Sequence, residues 1–543
     1  LSKTLAYRTP LTPAMFLERT VVAFPDQVAE VEGDRRYTYR ELHERVHRLG
    51  NALTRLGVKR GDRVAVLAPN TRMALEAHLA VPLIGAVLVP INIRLSPQEI
   101  AYILDHSEAS VLLADSEFVT HVRPILKNAK ALKAVVVDGD GMTQSETNGF
   151  HEAGLTWMIY EEWLAQAPYA ILPIAVQDEW ELISINYTSG TTGRPKGVML
   201  HHRGAFLNAL SEVIETRLDP QSVYLWTLPM FHAAGWCFSW AVTAVGARHV
   251  LLRKVDPKQI VHLIEREGVT HFCAAPTVLT MLVQYLNDAG RAFPHPVHII
   301  TAASPPSPSL LRQIERLGGK VTHVYGLTEV YGPFTINEWR TEWEALPLEE
   351  RAKLKARQGI PYIGLGELMV VDSEMRPVPK DGQTMGEVVM RGNGVMLGYY
   401  KAPEETEKAF RGGWFHTGDV AVWHPDGYIE LKDRQKDIII SGGENISSIE
   451  VERTLLEHPA VLEVAVIGIP DPKWGEVPKA FVTVRPGHQV TADELIAFCR
   501  ERLAHFKCPK AIEFGELPKT STGKIQKHVL KNREWQGMES KIR

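Results

Sequence analysis

Short, β-branched apolar runs alternate with amphipathic stretches along most of this chain, and that alternation leaves few folds open. From Tyr39 the apolar positions Leu42, Val46, Leu49, Leu53 and Leu56 step by four and three, which is one face of a helix that Gly57 ends. The next run, 63–68, is short, rich in valine and stopped by Pro69-Asn70, so it reads as a buried strand. The pattern then repeats, with 79–84 leading into 86–89, 97–104 into 110–114, 257–267 into 270–274 and 309–317 into 320–324. Such a series implies βαβ units, parallel sheets and helices on the sheet faces: an α/β protein.

Beyond residue 365 the texture changes. Strands are expected over 367–371, 386–391 and 428–431, separated by turns such as Pro425-Asp426-Gly427, which makes a smaller β-rich subdomain. After the charged stretch Lys432-Asp-Arg-Gln-Lys-Asp437 the alternation resumes at 450–457, 464–469, 480–484 and 492–503, and Thr491 with Glu494 forms a capping box for the last of these. Since 543 residues exceed one ordinary domain, the boundary is placed in that charged stretch. The expected division is a large N-terminal domain over 1–433 and a small α+β domain over 434–543.

Charge narrows the partners. Sixty Lys and Arg against 64 Asp and Glu give −4, so no general positive field exists to hold DNA or RNA, and any anion needs a local site. The four cysteines, Cys237, Cys273, Cys499 and Cys508, contain no C-x-x-C pair, which disfavours a disulfide framework or structural zinc and suits a reducing cytoplasm. The first twenty residues lack a basic segment followed by an apolar block, so no secretory signal is expected. Residues 223–247 carry no Asp, Glu, Lys or Arg and exceed the ~20 residues of a spanning helix. Pro229, His232, Gly235 and Gly246 interrupt them, so a strand end, a turn and a buried helix are expected instead, and no transmembrane segment.

The strongest chemical signal is Tyr187-Thr-Ser-Gly-Thr-Thr-Gly-Arg-Pro-Lys-Gly197, which follows the apolar run 182–185. Consecutive hydroxyls and glycines let backbone N–H and side-chain O–H groups converge on an anion, and Lys196 adds a positive charge. It is a phosphate loop of another kind than the P-loop, because Pro195 precedes the lysine and Gly197 follows it. The run Gly392-Asn-Gly394-Val-Met-Leu-Gly398 is one residue too long for a dinucleotide fingerprint, and no helix is expected after it.

The loop resembles the signature of the adenylate-forming superfamily: acyl-CoA synthetases, luciferases and peptide-synthetase adenylation domains. Pro229-Met-Phe-His-Ala-Ala-Gly235, Tyr325-Gly-Leu-Thr-Glu329, Gly386-Glu-Val, Gly398-Tyr-Tyr400, Trp414-Phe-His-Thr-Gly-Asp419, Asp433-Arg-Gln-Lys-Asp437 and Pro518-Lys-Thr-Ser-Thr-Gly-Lys524 match later motifs in the family's order. The resemblance implies two half-reactions. A carboxylate attacks the α-phosphate of ATP and releases pyrophosphate; a thiol, that of CoA, then displaces AMP.

In the roles so implied, Thr188, Ser189, Gly190, Thr191, Thr192, Gly193 and Lys196 hold the phosphates. Glu329 and Thr188 hold Mg2+, a hard cation suited to oxygen ligands, and Thr328 contacts the α-phosphate. Lys524 bridges carboxylate and phosphate as charge develops. Tyr325 stacks on adenine beside Gly326, Ala303 and Ser304, while Asp419 and Arg434 hold the ribose. Lys436 is the hinge about which the small domain swings after adenylation, and Ser441, Gly442 and Gly443 approach the CoA thiol arm. Trp226, His232, Trp236 and Tyr331, with Thr335, are expected around the acyl group. Taken singly, Asp419 reads equally as a helix cap and Tyr325 as a core aromatic; their joint order favours the site.

The resemblance thus implies an AMP-forming acid:CoA ligase acting on a medium-chain fatty or related aromatic acid, with ATP, Mg2+ and CoA. Glu338-Trp339 and Lys355-Ala-Arg-Gln-Gly359 resemble the medium-chain and aromatic branch and disfavour acetate. Delivery to a carrier-protein thiol, or oxidation as in luciferase, is the alternative; a chain ending soon after Lys524 has no room for a fused carrier domain. A nucleotide sensor without catalysis fits less well with Glu329 and Lys524 present. The expected partners are small molecules only. A homodimer is compatible with the sequence, which carries no signal for quaternary structure.

Overall fold

The computed structural model describes residues 8–139, 154–188, 195–302, 308–442, 444–519 and 525–535. Two large sheets dominate it. The first runs in the order Ile360–Pro361, Gly332–Ile336, Gly319–Leu327, Val297–Thr301, His271–Cys273, Val223–Trp226, Arg248–Leu251, Val28–Glu32, Arg35–Thr38. Its inner strands are parallel and its edges antiparallel. The second runs Gly398–Tyr399, Lys196–His201, Leu182–Thr188, Val87–Pro90, Arg63–Leu67, Ala109–Asp115, Ala134–Asp138, Thr156–Ile159, and is parallel from Leu182–Thr188 onward. This is the α/β architecture that the alternation implies.

The helices form for the reasons read from the sequence. Tyr39–Arg55 starts on a capping box, in which the Thr38 side chain accepts from Glu41 N–H and the Glu41 carboxylate accepts from Thr38 N–H. It buries Leu42, Val46, Leu49 and Leu53. Residues 223–247 resolve into the strand Val223–Trp226, a tight turn and the buried helix Phe238–Val245. No described helix is long and apolar enough to cross a membrane, and all four cysteines are free and buried.

The β-rich part is a four-stranded antiparallel sheet, Glu367–Val371, Met385–Arg391, Phe415–Trp423 and Ile429–Arg434. A separate sheet follows, in which Val461–Asp471 and Gly475–Val484 pair along their length and Ile439–Ser441, Glu444–Ile446 and Ala511–Phe514 join them. Here the alternation misleads: the two long strands form an antiparallel hairpin, because only three residues separate them and a parallel crossover needs a dozen or more.

The parallel strands also set the place of the site. Val223–Trp226, His271–Cys273, Val297–Thr301 and Gly319–Leu327 all end at one edge, and the residues just past their carboxyl ends, Thr227, Ala274, Ala302 and Thr328, line a single cleft. A crevice outside the carboxyl ends of the strands is where open α/β sheets bind ligands.

Candidate active site

The cleft encloses ≈ 3340 Å3, and its walls come from the first large sheet, the β-rich sheet and the C-terminal sheet with its helices. It holds Thr188, Lys196, His232, Trp236, Tyr325, Gly326, Thr328, Glu329, Asp419, Arg434 and Lys436.

One wall is a hydrogen-bonded unit. The Tyr325 hydroxyl donates to Asp419 Oδ2 at 2.7 Å, and Arg434 Nε lies 3.4 Å from Asp419 Oδ1. Asp419 and Arg434 are direct partners on the paired strands Phe415–Trp423 and Ile429–Arg434, so sheet register fixes this contact. Both Tyr325 and Asp419 are almost fully buried. Gly326, the next residue, has no room for a side chain: a Cβ there would stand 1.7 Å from the Gly332 carbonyl oxygen. That close approach lets Gly319–Leu327 double back onto Gly332–Ile336 and present Thr328 and Glu329 at the cleft.

Glu329 lies on the short turn Thr328–Val330. Its Oε1 accepts from the Tyr399 hydroxyl at 2.9 Å, and burial raises its pKa. Across the same ring, Lys196 Nζ stands 5.1 Å from the Tyr399 centroid and 2.5 Å from Glu405 Oε2. Thr188 closes the strand Leu182–Thr188 opposite Lys196. A carboxylate and a threonine hydroxyl lining the same cleft are hard oxygen donors, a chemistry that fits Mg2+.

The third arm of the cleft is made by the turn after Val223–Trp226. Ala233, Ala234, Gly235, Trp236 and Cys237 all have positive φ, between 46° and 63°. A left-handed run costs about 1–2 kcal/mol per non-glycine residue and persists only where surroundings enforce it. Here Gly235 seats on the Trp226 ring, where a Cβ would come within 2.9 Å, and the Trp236 indole lies on Gly332, where a Cβ would come within 2.6 Å. Trp236 and His232 therefore face the cleft.

Two residues expected around the acyl group do not. Trp226 is fully buried, donates from Nε1 to His249 Nδ1 at 3.1 Å and stacks on that ring. Tyr331 is also fully buried, its hydroxyl donating to His201 C=O and accepting from His201 N–H. Trp226 belongs to a strand buried on both faces, Tyr331 has φ +69°, and neither lines the cleft. Thr335 is likewise buried, donating to Gln358 C=O. Glu338, Trp339 and Lys355 are absent from the cleft lining; Lys355 instead covers the Trp339 ring at 4.6 Å.

On the C-terminal side, Lys436 follows Arg434 in a turn closed by Asp437 N–H and Ile438 N–H on Arg434 C=O. Burial lowers the pKa of Lys436. Ser441 is buried at the end of Ile439–Ser441, and Gly442, at φ +60°, donates to Trp474 C=O beneath the Trp474 ring. Ser189, Gly190, Thr191, Thr192, Gly193, Ala303, Ser304, Gly443 and Lys524 lie outside the described residues. The motif Gly398-Tyr-Tyr400 was visible in the sequence, but nothing in it showed that Tyr399 would touch Glu329 and Lys196.

The AMP-binding enzyme family matches residues 17–400, and the AMP-binding enzyme C-terminal domain matches 450–524. A 4-hydroxybutyrate–CoA ligase of Metallosphaera sedula is 52% identical over 522 residues, 96% of this chain and 94% of that protein. An acetate–CoA ligase of Humulus lupulus is 48% identical over 546 residues, 98% and 96% of the two chains. Among solved structures, an anthranilate CoA ligase in complex with anthranoyl-AMP superposes with a TM-score of 0.84 at 29% identity, covering 96% of this chain and 97% of that one. The chain belongs to the AMP-binding enzyme family.

Proposed function

We propose that this AMP-binding enzyme activates a short-chain aliphatic monocarboxylic acid, and that the cleft residues named above carry out the chemistry. The activity itself is ATP-dependent acid–CoA ligation through an acyl-adenylate. In the first half-reaction a carboxylate oxygen attacks the α-phosphorus, the bond to the bridging oxygen breaks and pyrophosphate leaves. In the second, the CoA sulfur attacks the acyl carbon, AMP leaves with the bonding pair and the thiol proton passes to solvent.

The observation that best supports these roles is the wall on which Tyr325, Asp419 and Arg434 meet beside Thr328 and Glu329. In this reading Asp419, already fixed by Tyr325 and Arg434, turns its remaining acceptor capacity to the ribose hydroxyls. Thr328 meets the α-phosphate. Lys196 leaves Glu405 for the terminal phosphates. Glu329 and Thr188 would hold Mg2+, which supplies neutralisation of phosphate charge. Lys524 would compensate the charge that develops between carboxylate and phosphate. The chain divides at 433/434, with Lys436 as the hinge and Ser441 to Gly443 at the thiol arm. Four free, buried cysteines suit a reducing cytoplasm.

Acid size rests on Trp236. Its indole lies on the Gly332 backbone and lines the cleft, as does His232, and in this reading that ring limits the room left for a long acyl chain. The ligases at 52% and 48% identity carry names of two- and four-carbon acids. Since the segment 338–359 that resembles the medium-chain branch contributes only Gln358 to the cleft, it bears little on the acid.

The test is pyrophosphate release with ATP and Mg2+ over acids from acetate to palmitate plus benzoate, with and without CoA, with products identified by mass. Acyl-CoA peaking among the short acids is the expected result. A peak at octanoate or longer, or at benzoate, overturns the short-chain assignment, and acyl-AMP without thioester sends the search to another thiol.

A further inference from the structure

The segment 396–400 is fastened at two places that the reaction must bring together. Met396 N–H donates to the Glu329 carbonyl at 2.8 Å, Leu397 N–H to Met199 C=O at 2.9 Å and Tyr400 N–H to Gly197 C=O at 2.7 Å. Gly398 and Tyr399 pair in register with Met199 and Val198, directly after the lysine of the phosphate loop. Tyr399 sits at the centre of this brace. Its hydroxyl donates to Glu329 Oε1 at 2.9 Å, and its ring face carries the Lys196 ammonium at 5.1 Å. One rigid side chain thus contacts both the carboxylate and the cation assigned above to the nucleotide phosphates, and its backbone N–H is held by Thr406 Oγ1 at 2.9 Å.

The hydrogen bond has a definite consequence. A carboxylate on a short turn rotates about its side-chain torsions; accepting a hydrogen bond at Oε1 limits that rotation in a side chain that lines the cleft. A cation over an aromatic face is likewise oriented, and here the Tyr399 ring and Glu405 together hold the Lys196 ammonium. Phenylalanine would preserve the packing and the cation contact and remove only the hold on Glu329.

We propose that Tyr399 is a positioning residue of the adenylation half-reaction: its hydroxyl aims the Glu329 carboxylate at the phosphate-bound metal while its ring keeps Lys196 beside the same phosphates. The assignment rests on the ligase reading above. It is specific to the first half-reaction, because the second passes no charge through the pyrophosphate side of the cleft.

The experiment compares wild type with Tyr399→Phe in three measurements. Pyrophosphate–ATP exchange reads adenylation alone. Thioester formation from supplied acyl-AMP and CoA reads the second step alone. Electron paramagnetic resonance of Mn2+ with a non-hydrolysable ATP analogue reads metal binding without turnover. In Tyr399→Phe, exchange falls roughly 10- to 150-fold, the loss expected of one hydrogen bond to a charged group. Thioester formation stays within about twofold of wild type, and Mn2+ binds the nucleotide complex more weakly. Exchange within about threefold of wild type, equal loss in both half-reactions, or unchanged Mn2+ affinity overturns the assignment. A wild type without exchange on any acid overturns the ligase reading and the assignment with it, a result that no Tyr399 variant can imitate.

Discussion

The protein holds charge in two different ways, and the contrast separates scaffold from site. Between the helices of the N-terminal half, Arg45, Arg72, Glu76, Glu161 and Tyr160 form a network centred on Glu76. Arg45 Nε donates to Glu76 Oε1 at 2.5 Å, Arg45 and Arg72 share Glu161, the Tyr160 hydroxyl donates to Glu76, and both guanidinium groups lie 5.1 Å from the Tyr37 ring. Glu76 is fully buried, and each of its oxygens is satisfied. In the cleft, by contrast, Glu329 accepts from the Tyr399 hydroxyl at Oε1 and lines the cavity, and Lys196 pairs with Glu405 across a half-exposed rim. A buried carboxylate whose oxygens are both satisfied inside the protein serves the fold. A charge with part of its capacity facing a cavity is kept for something that arrives.

The sharpest way to break this contrast is to open the buried network. Glu76→Ala leaves Arg45 and the Tyr160 hydroxyl without their shared acceptor in the interior, and removing one partner of a buried pair costs about 3–5 kcal/mol. Chemical denaturation should show a loss of that size, while kcat per folded molecule keeps its wild-type value. A loss below about 1 kcal/mol would place the network with ordinary surface ion pairs, and lost activity in folded protein would join it to the site.

A smaller effect separates the two regions by pH. His249 is fully buried, accepts from Trp226 Nε1 at Nδ1 and faces Thr243 Oγ1 at 3.1 Å from Nε2; burial pushes its pKa down to about 3. A free histidine titrates near 6.5. Between those values the unfolded chain binds a proton that the folded chain refuses, so this group's contribution to stability is full above about pH 6.5 and falls as pH drops towards about 3, by up to ~1.4 kcal/mol per pH unit. His249→Phe lowers stability at pH 7 by stranding the Trp226 N–H. It should also flatten the stability profile between pH 6 and 4 by that slope, as read from denaturant midpoints at each pH. Parallel profiles for variant and wild type would show that His249 takes up its proton in the fold.

How far each region can be read from sequence follows the same division. The helix Tyr39–Arg55, its Thr38–Glu41 box and the strand–turn–helix of 223–247 are local, so periodicity and caps suffice. Tyr325, Thr328, Glu329, Asp419 and Arg434 belong to short motifs whose order carries the resemblance, and all reach the cleft. What the sequence hides is the direction of a side chain. Trp226 and Tyr331 stand near cleft residues in the chain yet are held in the core, Trp226 by His249 and Tyr331, at φ +69°, by the His201 backbone. Contacts made across two hundred residues, such as Lys196 with Glu405, leave no local trace either.

That rim pair gives the finest test of the contrast. Lys196 Nζ lies 2.5 Å from Glu405 Oε2, with the two side chains 38% and 42% exposed, and Lys408 stands 3.6 Å from the other carboxylate oxygen. In the buried network a lost partner destabilises; at the cleft a lost partner frees a cation for the nucleotide. Glu405→Gln should therefore leave the unfolding midpoint in place and lower the KM for ATP by at most about fivefold, the span of an exposed ion pair, with kcat unchanged. Raising ionic strength should shrink the difference between variant and wild type, because solvent ions screen the pair that the variant lacks. A KM that rises instead would mean that Glu405 holds Lys196 ready for the phosphates, and the rim would then belong with the scaffold, as a contact that builds the site before the nucleotide enters it.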